Sequence, residues 1–578
     1  MSLTIRRRQA STELPLIERL LQARQPIPDA DTRLLLKDLH PPALLKNMDA
    51  AVTLLRRHLA QQNHVLIVSD FDADGATSCA LGMRALRSMG FQQVSYIVPN
   101  RFEYGYGLTP EIVALAASYS PDLLITVDNG ISSIEGVAAA NAAGMEVLVT
   151  DHHLPGRELP AAAAIVNPNQ PGCDFPSKSL AGVGVIFYVM LALRAALRQE
   201  GWFEQNSLPE PRLSDLLDLV ALGTVADVVP LDRNNRILVR AGLERLRKGQ
   251  GCPGILALLR AGKRQLEQLS AADLAFAVAP RLNAAGRLDD MGLGIECLLS
   301  ESQTNAEFLV SELDRINEAR KQIESSMRDQ AMQILAGMRP GTENLPAGLC
   351  LYEAEWHQGV IGILAARVKE MVHRPVIAFA DAGESGQLKG SARSIPGIHI
   401  RDVIDAVATA HPGLVSKFGG HAMAAGLSLE QEDLADFRGA FAHEVASRCS
   451  PETLQQVIVT DGELPGQEFT VQTAELIRAH GPWGQGYPEP VFDGRFKVVG
   501  RRVLQGRHLK LVVHPLSENA GSCEELDAIA FNLDQQRLQE LNTADELQLV
   551  YRLDINHFQG RKSLQLMIEH IIGDGQQG

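Results

Sequence analysis

Between about residues 60 and 170, short apolar runs alternate with Ala-rich segments of helical spacing. No other feature limits the possible folds as much. The runs are residues 64–70, 94–99, 122–128 and 145–151. Each is too short for a helix of its own and apolar on both faces. Such runs predict a parallel sheet covered by helices on either side, an α/β fold. In open sheets of this kind, ligands bind beyond the carboxyl ends of the strands. Three of the four runs end in an acid, at Asp70, Asp128 and Asp151. These carboxylates are therefore expected on one rim.

The remainder reads as further modules. Residues 212–222 predict a buried helix, followed by a loop 223–230 that carries Asp227. Over 306–335, Leu309, Leu313, Ile316, Ile323, Met327, Ala331 and Ile334 recur at spacings of three, four and seven, which predicts one long amphipathic connecting helix. A second, smaller α/β lobe is expected at about 345–450. Five strands at 496–504, 508–513, 527–531, 547–555 and 563–572 then suit a small barrel of the OB type. The expected boundaries are 1–55, 56–300, 301–342, 343–452 and 453–578. The apolar stretch 180–193 is too short to span a bilayer and reads as core. The chain opens on Arg6, Arg7 and Arg8 without a signal-like apolar run, and its seven cysteines form no C-x-x-C pair. A reducing cytoplasm is expected, with neither a zinc ribbon nor a disulfide framework.

The chemistry concentrates in four places. Asp70-Phe71-Asp72-Ala73-Asp74-Gly75 sets three acids at alternate positions, where unpaired carboxylates repel one another. A divalent cation would relieve that repulsion; a solvated turn, or an N-cap with Asp74 heading the helix, is the plainer alternative. Asp128-Asn129-Gly130 alone is an ordinary turn sequence. Asp151-His152-His153 offers imidazoles beside an orienting carboxylate. Asp227 lies among apolar residues, where a carboxylate must hydrogen-bond locally or meet a metal. Together the four favour metal, and carboxylates plus imidazole without cysteine favour Mn²⁺ or Mg²⁺. Two such ions are common machinery for in-line attack on phosphorus. No P-loop and no G-x-S-x-G elbow is present. The net charge of −15 excludes a protein basic all over, but not local phosphate contacts.

In order and spacing, Asp72-Ala73-Asp74, Asp128, Asp151-His152-His153 and Asp227 resemble the four motifs of the DHH phosphoesterase superfamily. Gly419-Gly420-His421-Ala422-Met423-Ala424-Ala425-Gly426 resembles its DHHA1 signature. The segments 100–108, 281–287 and 355–360 are similar to the RecJ branch, and the likeness runs through the barrel. It implies a DHH domain, a connecting helix, a DHHA1 domain and an OB-like barrel. The implied activity is 5′→3′ exonuclease digestion of single-stranded DNA, with release of nucleoside 5′-monophosphates, in repair and recombination. Single-strand binding protein and a helicase are the implied partners, and a monomer the implied state. By match, Asp72, Asp74, Asp128, His152 and Asp227 would be metal ligands, with Asp128 bridging, and His153 would touch the scissile phosphate. Asp70 and Asp151 would either bind metal or support its ligands. Many superfamily members carry a histidine where this chain has Val68, so Asp70 is a candidate to compensate.

For DNA, the resemblance points to Arg281 and Arg287 around a glycine-containing loop, to Ser391, Arg393 and Ser394, and to Gly420 and His421. Tyr104 and Tyr106 either stack on bases or pack internally. Arg501, Arg502, Arg507, His508 and Lys510 form either a grip on single strands or a solvated edge hairpin. Two competing readings are a DHH enzyme for short oligonucleotides or cyclic dinucleotides and a non-catalytic single-strand binder. The first has no need of the third, basic module; the second has no need of the acid–histidine set.

Overall fold

The computed structural model describes residues 3–9, 14–24, 33–100, 104, 107–338, 345–383, 386–450, 452–516, 524–533, 535–541, 543–558 and 560–572. The chain forms two compact units. One comprises Pro28–Glu318 with Arg478–Glu489; the other comprises Met1–Ile27, Ala319–Ile477 and Pro490–Gly578.

The first unit is built on five parallel strands: β1 (Val65–Ser69), β2 (Val94–Ile97), β3 (Leu123–Val127), β4 (Glu146–Thr150) and β5 (Ala164–Val166). Their order is β2-β1-β3-β4-β5, and β1 and β3 are buried at every position. Fully buried strands need their ladder partners on both sides, which explains the continuous β-branched and leucine runs. After β2 the chain crosses back to the other side of β1. The sheet therefore switches direction between β1 and β3, the place where doubly wound sheets open a crevice. Asp70 and Asp128 follow these two strands, and Asp151 follows β4, so the three acids share the expected rim.

Two buried helices close the sheet behind that rim. Helix Ala73–Ser88 follows β1 directly, and helix Gly182–Gln199 packs beside it. Among the described residues, Gly182–Gln199 is long and apolar enough to cross a membrane by length and composition, contrary to the shorter stretch read from sequence, but 61% of it is buried within the protein. A third helix corrects the sequence reading. Residues Leu217–Ala226 are helical, so Gly223-Thr224-Val225-Ala226 is not loop and Asp227 caps the helix C-terminus. A Cβ at Gly223 would sit 2.2 Å from Thr77 Oγ1 and 2.7 Å from Asp74 Oδ1. The glycine permits helix against helix, not a turn.

Helix Gln303–Gly337 runs 35 residues, starting in this unit and ending in the other. Its buried positions include Ala306, Val310, Leu313, Ile316, Met327, Ala331 and Leu335. The buried face thus passes through Val310 and Leu335, not Leu309 and Ile334.

The second unit holds a five-stranded mixed sheet: β6 (Leu349–Tyr352), β7 (Val376–Asp381), β8 (Gln387–Arg393), β9 (Lys417–Gly420) and β10 (Ala424–Glu430), in the order β9-β10-β8-β7-β6. It also holds a closed barrel of β11 (Phe492–Leu504), β12 (His508–Pro515), β13 (Leu526–Ala530), β14 (Glu546–Phe558) and β15 (Arg561–Ile572). Around the barrel the order is β11-β12-β13-β15-β14, with only β13 and β15 parallel, the OB arrangement expected from the strand-rich sequence. The N-terminal strand Leu3–Arg7 runs parallel to Gln456–Thr460. Arg7 and Arg24 fasten it there, through Asp493 and Asp461 at 2.6 and 2.7 Å.

Candidate metal centre

Asp72 ends the turn after β1 and caps helix Ala73–Ser88. Its Oδ1 accepts from the backbone N–H groups of Asp74 and Gly75 at 2.9 and 3.0 Å. The cap thus falls on Asp72 and not, as the N-cap alternative had it, on Asp74, and it occupies only one carboxylate oxygen. Asp74, in the first turn, is 1% exposed. Its two oxygens accept from Gly182 N and Val183 N at 2.7 and 3.0 Å, the first amides of helix Gly182–Gln199. Helix N-termini stabilise such anions. Burial and the neighbouring Asp72 nevertheless outweigh these bonds and push the Asp74 carboxyl up to about 7.

Asp128 has a left-handed backbone, φ 62°, and is 1% exposed. Asp tolerates that region better than most residues. Burial first, then Asp74 and Asp72, raise its carboxyl well above the ordinary carboxylate range. Asp227 shifts the same way for the same reasons. Gly182 makes room for this crowding: a Cβ there would lie 2.6 Å from Asp128 Oδ1. His152 Nε2 lies 3.1 Å from Asp128 Oδ1 and 3.4 Å from Asp227 Oδ2.

The donor atoms fall into three overlapping groups, each within 4.8 Å: Asp128–His152–His153, Asp74–His152–Asp227 and Asp70–Asp72–Asp128. Asp128 and His152 each belong to two of them. Asp70 joins Asp72 and Asp128, beside the buried Val68 that offers no ligand. Carboxylates this close, with Asp74, Asp128 and Asp227 held above their ordinary range, fit divalent cations bound by oxygen and imidazole.

Asp151 is used differently. Its Oδ1 accepts from His152 N, His153 N and His153 Nδ1 at 2.7, 3.1 and 2.8 Å, and its Oδ2 accepts from Ile131 N at 2.9 Å. Both oxygens are committed, and Asp151 belongs to none of the three groups. Burial would lower the His153 imidazole, but the Asp151 bond and the surrounding acids hold it up to about 9. Asp151→Asn is therefore expected to cost roughly 10–100-fold in kcat, with a smaller change in KM. An Asn that keeps its oxygen on His153 must turn an N–H₂ against the Ile131 N–H. Steady-state digestion of a labelled single strand checks this, and an unchanged kcat in a folded variant sinks the orienting role.

The sequence reading missed what braces the first motif. Asn283 Oδ1 accepts from Ala73 N at 2.8 Å, and a Cβ at Gly286 would lie 1.9 Å from Phe71 O. The segment 281–287 therefore packs its middle on the acidic turn. Arg281, read as a DNA contact, donates to Asp314 Oδ1 at 2.8 Å and to Ala277 O at 2.6 Å. Arg287 is half-buried in the last turn of helix Ala279–Leu288. Tyr104 packs against the core around Leu108 and Ile112, which favours its packing role over stacking. Tyr106 lies outside the described residues.

In the second unit, the DNA candidates occupy neighbouring strands. Arg393 pairs with Ala424 and Ser391 with Gly426, while Gly420 pairs with Ala425. The Arg393 guanidinium donates to Ser391 Oγ at 3.1 Å, and an added Cβ at Gly362, in the first turn of helix Ile361–Val372, would lie 3.0 Å from each side chain. His421 follows Gly420, its N–H donating to Ala424 O at 2.8 Å. Ser394 is 1% exposed, and its hydroxyl donates to Ile398 O at 2.7 Å. On the barrel, Arg502 faces Lys510 and Leu504 faces His508 across one hairpin, with Arg502 and Arg507 exposed. Lys510 is tied to Asp527 at 3.1 Å.

Comparison with known proteins agrees with this layout. Family models match at residues 64–224 (DHH family, N-terminal domain), 346–447 (DHHA1 domain) and 460–570 (RecJ OB domain). The chain is 52% identical over 571 residues to the single-stranded-DNA-specific exonuclease RecJ of Dickeya dadantii, covering 98% of each. It is similar to RecJ of Thermus thermophilus solved with Mn²⁺, at a TM-score of 0.77 and 27% identity, covering 99% of this chain and 80% of that one. The same Thermus thermophilus protein solved with Mg²⁺ gives a TM-score of 0.72 and 26% identity, covering 99% and 78%.

Proposed function

The chain belongs to the RecJ family of single-stranded-DNA-specific exonucleases, and from that premise we propose that it digests single-stranded DNA from the 5′ end, one nucleoside 5′-monophosphate at a time. The observation that carries this reading is the convergence of five aspartates and two histidines in three overlapping donor groups at the sheet's switch point. Bound there, two Mn²⁺ or Mg²⁺ ions would supply an activated water and offset the charge that builds on the scissile phosphate.

In this reading Asp72, Asp74, Asp128, His152 and Asp227 hold the ions, with Asp70 joining the group around Asp72. Asp128, a carboxylate that belongs to two of the donor groups, would serve both ions. The amides of Gly182 and Val183 fix Asp74, so its carboxylate cannot swing when charge develops nearby. Asp151 holds His153 through Nδ1, which aims Nε2 as the donor to a phosphate oxygen. Arg393, Ser391, Gly420 and His421 contact DNA phosphates in the 343–452 domain, and Arg287 does so in the 56–300 domain. The 453–578 barrel grips the strand through Arg502 and Arg507. The enzyme acts as a monomer in the cytoplasm, in repair and recombination, on strands supplied by a helicase and covered by single-strand binding protein.

The test is a long single strand labelled at either end, with Mn²⁺. Immediate release of the 5′ label as mononucleotide, with the 3′ label retained until late, is the expected result. Early release of the 3′ label would reverse the polarity, and internal cuts would end the exonuclease reading.

A further inference from the structure

Asp227 is the one proposed ligand that does not follow a strand of the sheet or cap a buried helix N-terminus. It stands at the C-terminal end of helix Leu217–Ala226, its N–H donating to Gly223 O at 2.9 Å. The next residue, Val228, has φ 60° and a side chain 63% exposed. A β-branched residue keeps a left-handed backbone only where its surroundings impose it. Something beyond Val228 must therefore hold the exit of this helix.

That hold comes from a segment some 250 residues later in the sequence. Leu231 N donates to Gln485 O at 2.7 Å. The segment can lie this close because it is glycine there: a Cβ at Gly484 would be 2.7 Å from Leu231 Cδ1, and one at Gly486, φ +71°, would be 3.1 Å from Pro230 Cβ. The segment is itself a closed turn. Gly484 and Tyr487 exchange backbone hydrogen bonds at 2.9 and 3.1 Å, and the Trp483 and Tyr487 rings stack at 4.9 Å, 8° from parallel. The Arg236 guanidinium lies 3.7 Å from the Tyr487 ring centroid, fastening the turn to helix Arg233–Arg247. From the other side, Asn235 Nδ2 donates to Pro230 O at 3.0 Å.

We propose that the segment Arg478–Glu489 is a strap that positions the metal ligand Asp227, with Tyr487 as its principal positioning residue. The inference rests on the reading of Asp227 as a ligand. Three residues separate Asp227 from Leu231, so the strap's anchor and the carboxylate cannot move independently. The metal centre is thereby completed by chain that lies immediately before the barrel's first strand, Phe492–Leu504.

The measurement is calorimetric titration of Mn²⁺ into the full-length protein without DNA. Tyr487→Ala should weaken Mn²⁺ binding about 10-fold, the usual scale for a group that orients a ligand. Digestion at limiting Mn²⁺ should fall in parallel and recover at excess Mn²⁺, while Tyr487→Phe, which keeps the ring, binds as the parent does. A natively folded Tyr487→Ala with parental Mn²⁺ affinity overturns the proposal. Should that variant not fold, Trp483→Leu, which removes only the stacking partner, decides by the same outcomes. Asp227→Asn serves as reference. If it weakens Mn²⁺ and the strap variant does not, the strap alone falls; if neither weakens Mn²⁺, the ligand reading falls as well.

Discussion

Asp128→Asn is expected to slow single-strand digestion by at least about a thousandfold and yet to raise the melting temperature of the metal-free protein. The loss follows from the proposed role of Asp128 as a ligand to both ions. A ligand shared by two ions stabilises the transition state by several kcal/mol, and each 1.36 kcal/mol is tenfold in rate. The gain in stability follows from the acids. Asp128 is 1% exposed and its carboxyl is raised by burial, Asp74, Asp72 and Asp227. A neutral amide of the same shape removes that repulsion and still fits against Gly182. Asn also accepts the left-handed backbone at φ 62°. Mononucleotide release, strand binding by anisotropy, and calorimetry in chelator check the three parts. Residual activity above a tenth of the parent sinks the bridging role. A lower melting temperature sinks the account of electrostatic strain.

What could be read from the sequence was whatever leaves a local pattern. Strand ends announce themselves by a buried run followed by an acid, so Asp70, Asp128 and Asp151 could be placed on one rim without coordinates. The motif Asp72-Ala73-Asp74 could be seen as a helix start. The barrel's strands were legible from alternation, within a few residues at each end. What stayed hidden depends on contacts between distant segments. Gly223 looked like a loop residue, because nothing nearby in sequence tells that Thr77 and Asp74 press on its Cα. Gly182 looked like one glycine in an apolar stretch, although its amide and its missing Cβ together seat Asp74 and Asp128. Nor does anything near Arg281 in sequence tell that its guanidinium pairs with Asp314, 33 residues away. The commitments of Asp151 likewise needed coordinates: no spacing tells that its two oxygens accept four hydrogen bonds.

Metal is expected to stabilise the protein more strongly as pH rises from about 4 to about 7, and without metal the protein should weaken over the same interval. Asp74 sets the window. Its folded carboxyl stands at about 7, above the ordinary value of 3.8. A raised carboxyl contributes no penalty at pH below the unfolded value, where both states are protonated. As pH climbs toward 7 the unfolded chain has already ionised and the folded one resists, so stability falls. Asp128 and Asp227 shift in the same direction and extend the loss upward. His153 adds to it at the top: an imidazole raised to about 9 stabilises below its unfolded value near 6.5, and that gain fades as pH approaches 9. Asp151, held below its ordinary range by His153 despite burial, is ionised throughout and drops out of this window. A divalent cation reverses the sign of the site, because it binds the ionised carboxylates and competes with their protons. At a hundred times its dissociation constant it stabilises by about 2.7 kcal/mol, and that constant tightens as the acids lose their protons. Melting curves in chelator and in excess Mg²⁺, taken at both pH values, should therefore diverge with pH. Parallel curves would mean that the ion does not displace protons from Asp74, Asp128 and Asp227, and would remove these three from the ligand set.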